Sequence, residues 1–268
     1  MKIAAIQMIS TPVLSENLAT ARRLMQQAAD EGAKMLLLPE YWPLMGMQET
    51  DKVDIAEPAD AADDKGTMQA FMADMARSLG VWLIGGTIPL QAPEAGKVLN
   101  STLVFNPEGR QVARYDKIHL FGFSKGDESY EEARTIVAGG QVSSFDAGFG
   151  QVALSICYDL RFPELYRTLG TCSLIVVPAA FTYTTGQAHW EILLRARAIE
   201  NQCYVLACGQ GGKHVNGRRT WGHSMLIDPW GKILNLLEEG EGIVSGDIDE
   251  TVIASIRESL PALRHRKL

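Results

Sequence analysis

The feature that most limits how this chain can fold is that it states one structural pattern twice. Lys2 to Met8 reads as a buried strand; Ser15 to Glu31 follows with Leu18, Ala21, Leu24, Met25 and Ala28 at helical spacing before Gly32; and Lys34 to Leu38 is a second strand halted by Pro39. The same order returns as a strand from Gln151 to Ile156, a helix from about Pro163 to Leu169, Gly170, and a strand from Ser173 to Val177 halted by Pro178. Each is a βαβ unit. Two hairpins repeat as well. Ser101 to Phe105 turns through Asn106, Pro107, Glu108 and Gly109 into Arg110 to Tyr115, and Ser224 to Ile227 turns through Asp228, Pro229, Trp230 and Gly231 into Lys232 to Leu236. In both, proline presets the turn backbone and glycine supplies the left-handed position.

Near-continuous apolar strands must be covered on both faces, and a duplicated unit does this economically by packing sheet against sheet with helices outside. The expected fold is α/β, a four-layer α-β-β-α sandwich with an internal pseudo-repeat. No Pro-, Ser- or charge-rich linker separates the halves, which predicts a single domain over 1–268. The acidic, unpatterned stretch from Met45 to Lys65 reads as a solvated rim or lid, and Trp42 to Met47 is apolar enough to wall a pocket.

Composition excludes several functions. Lys and Arg number 25 against 32 acidic residues, and the net charge of −7 repels a phosphate backbone, so nucleic acid is not an expected partner. Apolar runs such as Leu174 to Val177 break after a few residues, far short of the roughly 20 needed to cross a bilayer. Gln7 interrupts the apolar start and an amphipathic helix follows, which is not the layout of a secretion signal; a cytoplasmic location is expected. The four cysteines at 157, 172, 203 and 208 form no CxxC pair and no histidine stands at finger-like spacing, so neither a metal site nor a disulfide framework is indicated. Cys172, Cys203 and Cys208 lie in or beside strand-like stretches and read as core. With no G-x-G-x-x-G after a strand and no phosphate-binding loop, no cofactor is implied.

The chemistry stands where the two halves differ. The first βαβ unit ends in Pro39 and Glu40, the second in Pro178 and Ala179, so only the first places a carboxylate at a strand's carboxyl end, where α/β sheets build sites. Conversely the second half delivers Cys157 at a strand-to-helix turn where the first offers Met8. A helix start favours negative charge, which suits a thiolate or an oxyanion. Beyond the first hairpin, Tyr115 to Phe121 carries Lys117. A Cys with a His is the commoner route to a reactive thiol, and His119 or His223 stands as an alternative base to Glu40. On the helix around Thr185 to Asn201, His189, Ile192, Leu193, Ala196 and Ile199 share one face, which makes His189 a hydrogen-bonded core residue.

These residues lie in segments that resemble a known family. LLLPEYW at 36–42, YDKIHLF at 115–121 and SICYDLRFPE at 155–164 are similar, in content and order, to the three signature segments of the nitrilase (carbon–nitrogen hydrolase) superfamily. AHWEILLRARAIENQCYV at 188–205 and WGHSMLIDPWG at 221–231 resemble the deaminated glutathione amidase and omega-amidase branch. The resemblance implies the four-layer sandwich, a homodimer, Cys157 as nucleophile, Glu40 as general base and acid, and Lys117 as oxyanion stabiliser together with the Tyr158 backbone N–H. A further family Glu falls on Glu132, with Glu131 and Glu128 as alternatives.

The reaction so implied is hydrolysis of a small linear carboxamide, giving an acid and ammonia through a thioester on Cys157. Lys117 and the helix start are expected to lower the thiol pKa, and Glu132 to orient Lys117. The preferred substrate is deaminated glutathione. Its carboxylates suit Arg, and Arg161 is the first candidate, with an ion pair to Glu164 or Asp159 as the alternative. Thr182 and Phe181 are expected to line the cavity, and the basic segment from Gly209 to Trp221 either borders it or is solvated. An omega-amidase acting on 2-oxoglutaramate-like amides, a nitrilase or carbamoylase, a transferase to an amine or alcohol, and a catalytically silent dimeric binding protein remain as alternatives.

Overall fold

The computed structural model describes residues 1–59, 67–126 and 128–267. The first-half strands are β1 (Lys2–Gln7), β2 (Met35–Leu37), β3 (Trp82–Ile84), β4 (Ile88–Gln91), β5 (Val98–Phe105) and β6 (Gln111–Asp116). A small hairpin of β7 (Gly122–Lys125) and β8 (Glu128–Glu131) follows. The remainder are β9 (Ser144–Asp146), β10 (Gln151–Leu154), β11 (Leu174–Ala179), β12 (Tyr204–Gly209), β13 (Ser224–Ile227), β14 (Ile233–Leu237) and β15 (Gly242–Asp247). The helices are α1 (Leu14–Asp30), α2 (Asp51–Asp54), α3 (Met68–Leu79), α4 (Pro163–Thr168), α5 (Tyr183–Asn201) and α6 (Glu250–Ser259).

The pseudo-repeat holds at the level of topology. One sheet runs β15-β1-β2-β3-β5, with β4 and β6 both on β5; the other runs β9-β10-β11-β12-β13-β14. In each, three parallel strands are flanked by an antiparallel strand on one side and the repeated hairpin on the other. Alternation along β1 assigns the layers. Ile3 and Ala5 join Met35, Leu37, Val152 and Leu154 between the sheets, while Ala4 and Ile6 pack with Leu24, Met25 and Met72 of the covering helices α1 and α3.

Three local expectations change. Pro178 does not end its strand, since β11 continues to Ala179. The Val176 carbonyl faces β10, accepting from Ser155 Oγ at 2.9 Å, and Pro178 faces the same way two residues on, past the last β10 pairing. No ladder bond is lost there. Helix α5 turns the other way from its apolar spacing: Ile192 is 71% and Ile199 50% exposed, and His189 is exposed. Its buried face is Thr185, Gly186, Trp190, Leu194, Arg197, Ala198 and Asn201. The polar members are satisfied, Trp190 Nε1 by the His223 carbonyl and Arg197 by the Leu160 carbonyl. Of the proposed lid, 45–59 are tied down: α2 lies there, and Glu57 caps α3 by accepting from the Met68 and Gln69 amides. Residues 60–65 fall outside the described residues.

Cys172, Cys203 and Cys208 are buried, as expected. Among the described residues no helix is long and apolar enough to cross a membrane.

Candidate active site

Glu40 follows β2 in a turn clamped from the neighbouring strand. The Thr87 amide donates to the Pro39 carbonyl at 3.2 Å and the Tyr41 amide to Thr87 Oγ1 at 2.9 Å. Gly86 passes so close that a Cβ there would strike the Pro39 carbonyl, and its φ of +52° is one that glycine adopts freely. Cys157 follows β10 in a 3₁₀ turn running to Arg161, with φ of +49°. A non-glycine residue in that region costs about 1–3 kcal/mol and persists only where the surroundings impose it. Asp159 imposes it. Its Oδ2 accepts from the Ile156 amide at 2.9 Å and the Tyr115 hydroxyl at 2.7 Å, and its Oδ1 accepts from the His119 amide at 3.0 Å. One carboxylate thus fastens the Cys157 turn to the segment that carries Lys117.

The three side chains meet. Lys117 Nζ, fully buried, donates to Glu40 Oε1 at 2.8 Å and to Glu132 Oε1 at 2.9 Å, and the Cys157 thiol shares a cavity wall with Glu40 and Glu132. Asn100 Nδ2 donates to Glu40 Oε1 at 2.9 Å and the Ala180 amide to Oε2 at 2.8 Å. Glu132 also accepts from the Tyr41 hydroxyl at 2.8 Å and from the Phe121 amide at 2.7 Å. Of the three acidic candidates, Glu132 is therefore the one on the lysine. Glu128 instead accepts from Thr184, and Glu131 is exposed.

Charge bookkeeping explains the protonation states. Burial works against the Lys117 cation, but Glu132 and Glu40 outweigh it and hold its pKa above the ordinary lysine value. Burial likewise opposes ionisation of Glu132, and Lys117 outweighs it, with a lowered pKa as the result. For Cys157 the balance goes against the expected thiolate. Burial, then the negative charge of Glu40, push the thiol well above its usual range, and Lys117 does not compensate. Two carboxylates and one ammonium already sum to −1, and a thiolate would make it −2. The resting group is a neutral thiol beside a carboxylate.

A small cleft opens on the thiol, lined by Glu40, Phe121, Glu132, Tyr158, Thr182 and Arg218 among others. Thr182 and Phe181 line it, as does Tyr158. Arg161 does not line it. Its guanidinium lies against the Tyr158 and Phe181 rings, with Nη1 3.2 Å from His189 Nδ1, and it forms no ion pair with Glu164 or Asp159. His119 is held on Asp159 and stacked on Phe162, His223 is held on the Trp221 carbonyl, and neither lines the cavity. A second cleft is bounded by Tyr41, Leu44, Met45, Glu49, Lys52, Asn216 and again Arg218. Leu44, Met45 and Gly46 are pocket wall, but Trp42 is core, its Nε1 bonded to the Gly85 carbonyl. Asn100, Tyr41 and the Ala180 amide escaped sequence reasoning. Asn100 alone left a trace, as an amide side chain inside a strand, where Asn is depleted. Among the described residues no cluster of His, Cys, Asp or Glu is arranged to hold a metal ion.

A family model described as carbon–nitrogen hydrolase matches residues 2–258. The chain is 42% identical to a deaminated glutathione amidase of Synechocystis sp., covering 98% of this chain and 97% of that protein. It is 36% identical to the omega-amidase NIT2-A of Xenopus laevis, covering 99% and 95% respectively. The crystal structure of the C. elegans NitFhit protein superposes with a TM-score of 0.89 at 36% identity, over 99% of this chain and 65% of that longer one. A repeated α/β sandwich, a Glu–Lys–Cys cluster at the ends of its strands and a family match over nearly the whole chain lead to one assignment: the protein belongs to the carbon–nitrogen hydrolase family and is an amidase.

Proposed function

We propose that Cys157 attacks the amide carbon, with Glu40 as general base and acid, Lys117 as oxyanion stabiliser and Glu132 as the residue positioning Lys117. The observation that carries this reading is that one buried carboxylate, Glu40, holds the Lys117 ammonium and lines the same cavity as the Cys157 thiol. As sulfur bonds to the carbonyl carbon, the thiol proton passes to Glu40, and the cluster's net charge is the same before and after. The oxyanion forms beside Lys117, whose third N–H remains after two are engaged by Glu40 and Glu132. Collapse breaks the carbon–nitrogen bond, Glu40 returns the proton to the departing nitrogen, and a thioester remains. Water then attacks it, giving its proton to Glu40, which reprotonates the sulfur as the acid leaves.

The preferred substrate is deaminated glutathione, supported by the 42% relative and by the cationic Arg218 on the cavity wall. Cleavage of this secondary amide releases a carboxylate-bearing amine in place of the ammonia expected from a primary carboxamide; an omega-amide does release ammonia, and the likeness to an omega-amidase makes this the second reading. We also read residues 1–268 as one catalytic unit, supported by the core shared between the sheets, and as a homodimer, supported by the exposed apolar face of α5. Four free cysteines suit a reducing, cytoplasmic setting.

Intact-mass measurement during turnover tests the chemistry. The expected adduct is the acyl half of the substrate on Cys157, and Cys157→Ala should lower kcat by at least about 10⁴-fold, in line with other catalytic nucleophiles. Undiminished turnover by that variant overturns the mechanism.

A further inference from the structure

Arg218 is placed unlike a surface arginine. It lines both the thiol cavity and the cavity beyond it. Its Nε is buried with no hydrogen-bond partner, and no carboxylate lies within ion-pair distance of it among the described residues. Its fixed contacts are neutral: Nη2 donates to the Ala180 carbonyl at 3.0 Å, and the guanidinium lies over the Tyr130 ring at 5.2 Å. A buried donor on a permanent cation is costly to leave unpaired, and a guanidinium fork is shaped for a carboxylate.

Ala180 fixes the direction. Its amide holds Glu40 Oε2 and its carbonyl holds Arg218, so the arginine is anchored one residue from the proposed proton donor. The departing nitrogen takes its proton from Glu40, so whatever that nitrogen carries extends past Glu40 and its neighbour Tyr41. The second cavity is bounded by Tyr41 and shares Arg218 with the thiol cavity; on its wall Lys52 Nζ pairs with Glu49 at 2.7 Å and lies 5.3 Å from the Tyr41 ring centroid, and Asn216 Oδ1 accepts from the Arg218 backbone amide at 2.9 Å.

We infer that Arg218 and the cavity bounded by Tyr41, Lys52 and Asn216 form a subsite for the amine half of the substrate, and that Arg218 takes a carboxylate there. Arg218 is then the residue that selects a carboxylate-bearing leaving amine over ammonia. The inference rests on the reading of Cys157 and Glu40 given above. It also competes with a purely structural role, in which Arg218 only offsets the charges of Glu40 and Glu49.

Three amides sharing one acyl group separate these ideas: glutaramate, N-glutaryl-glycine and N-glutaryl-glycinamide. The last two differ only in the leaving-group carboxylate. In the unaltered enzyme, kcat/KM for N-glutaryl-glycine should exceed that for N-glutaryl-glycinamide by at least tenfold. Arg218→Gln should reduce this preference at least tenfold, with Arg218→Lys between the two. A preference near one in the unaltered enzyme, or one that Arg218→Gln leaves unchanged, overturns the subsite whether or not the variant is less stable. If instead glutaramate and both secondary amides leave Cys157 unacylated, it is the catalytic reading that fails.

Discussion

A thiol buried against a carboxylate has a physical reason to keep its proton, and at Cys157 that reason outweighs Lys117. Without substrate, alkylation by the neutral reagent iodoacetamide should track the thiolate fraction. Because the folded pKa is raised, the rate should climb about tenfold per pH unit through neutrality and past the usual thiol value of about 8.5 without levelling. Rates read at the Cys157 peptide by mass spectrometry check this, and a plateau below pH 8 would establish a resting thiolate. Glu40, Lys117 and Cys157 were legible in the sequence because each stands at a strand end or just beyond a hairpin, in a segment of recognisable content. Their charge states were not, since whether Lys117 lowers a thiol pKa depends on how many carboxylates share it. Asp159 and Arg218 were opaque for a related reason. Asp159 works through Tyr115 and His119, some 40 positions away, and Arg218 differs from solvated Arg219 beside it only in where its loop lies.

At the scale of elements, the segments read as strands are strands, but the short β3, β4, β7, β8 and β9 and the edge strand β15 were not read from the sequence, and α5 faces the other way from its apolar spacing. Helical spacing locates an apolar stripe but not its partner, and in α5 a second stripe of Trp190, Leu194 and Ala198 is the one that meets the sheet. The leftover stripe adjoins the second repeated turn. Arg195 Nε donates to the Gly231 carbonyl at 2.8 Å, and a Cβ on Gly231 would touch Ile199. Trp230, 63% exposed, extends the same surface. Apolar surface of this kind marks an association face. Sedimentation velocity at micromolar concentration should therefore show a dimer, and Ile199→Glu should raise its dissociation constant at least about 100-fold by burying an unpaired charge. A wild-type monomer under those conditions removes the dimer from the proposed function.

Across the whole molecule, the halves are sewn together at the strand ends that carry the site. Gln210, just past β12, accepts from the Ser10 amide at 3.0 Å and donates to the Glu40 carbonyl at 3.1 Å; Gln7 accepts from the Ser224 amide at 3.0 Å. His214 completes this seam, with Nδ1 3.0 Å from the Ser10 carbonyl and Nε2 2.9 Å from Thr220 Oγ1. Both bonds are made by the neutral ring, Nδ1 donating and Nε2 accepting. Burial, aided by the nearby Arg218 charge and opposed by the Ser10 carbonyl, pushes its pKa down to about 4. The unfolded chain, with an ordinary value near 6.5, binds this proton first as pH falls, so stability is lost from about pH 6.5 down to about pH 4. The full loss is about 3 kcal/mol for one histidine displaced this far. Urea unfolding across that interval should show a steeper decline for the natural protein than for His214→Asn, which is less stable at pH 7 for want of one bond but has no ring to protonate. Equal slopes would mean that the proton enters the folded seam freely, and that the two halves are not held together by a neutral His214.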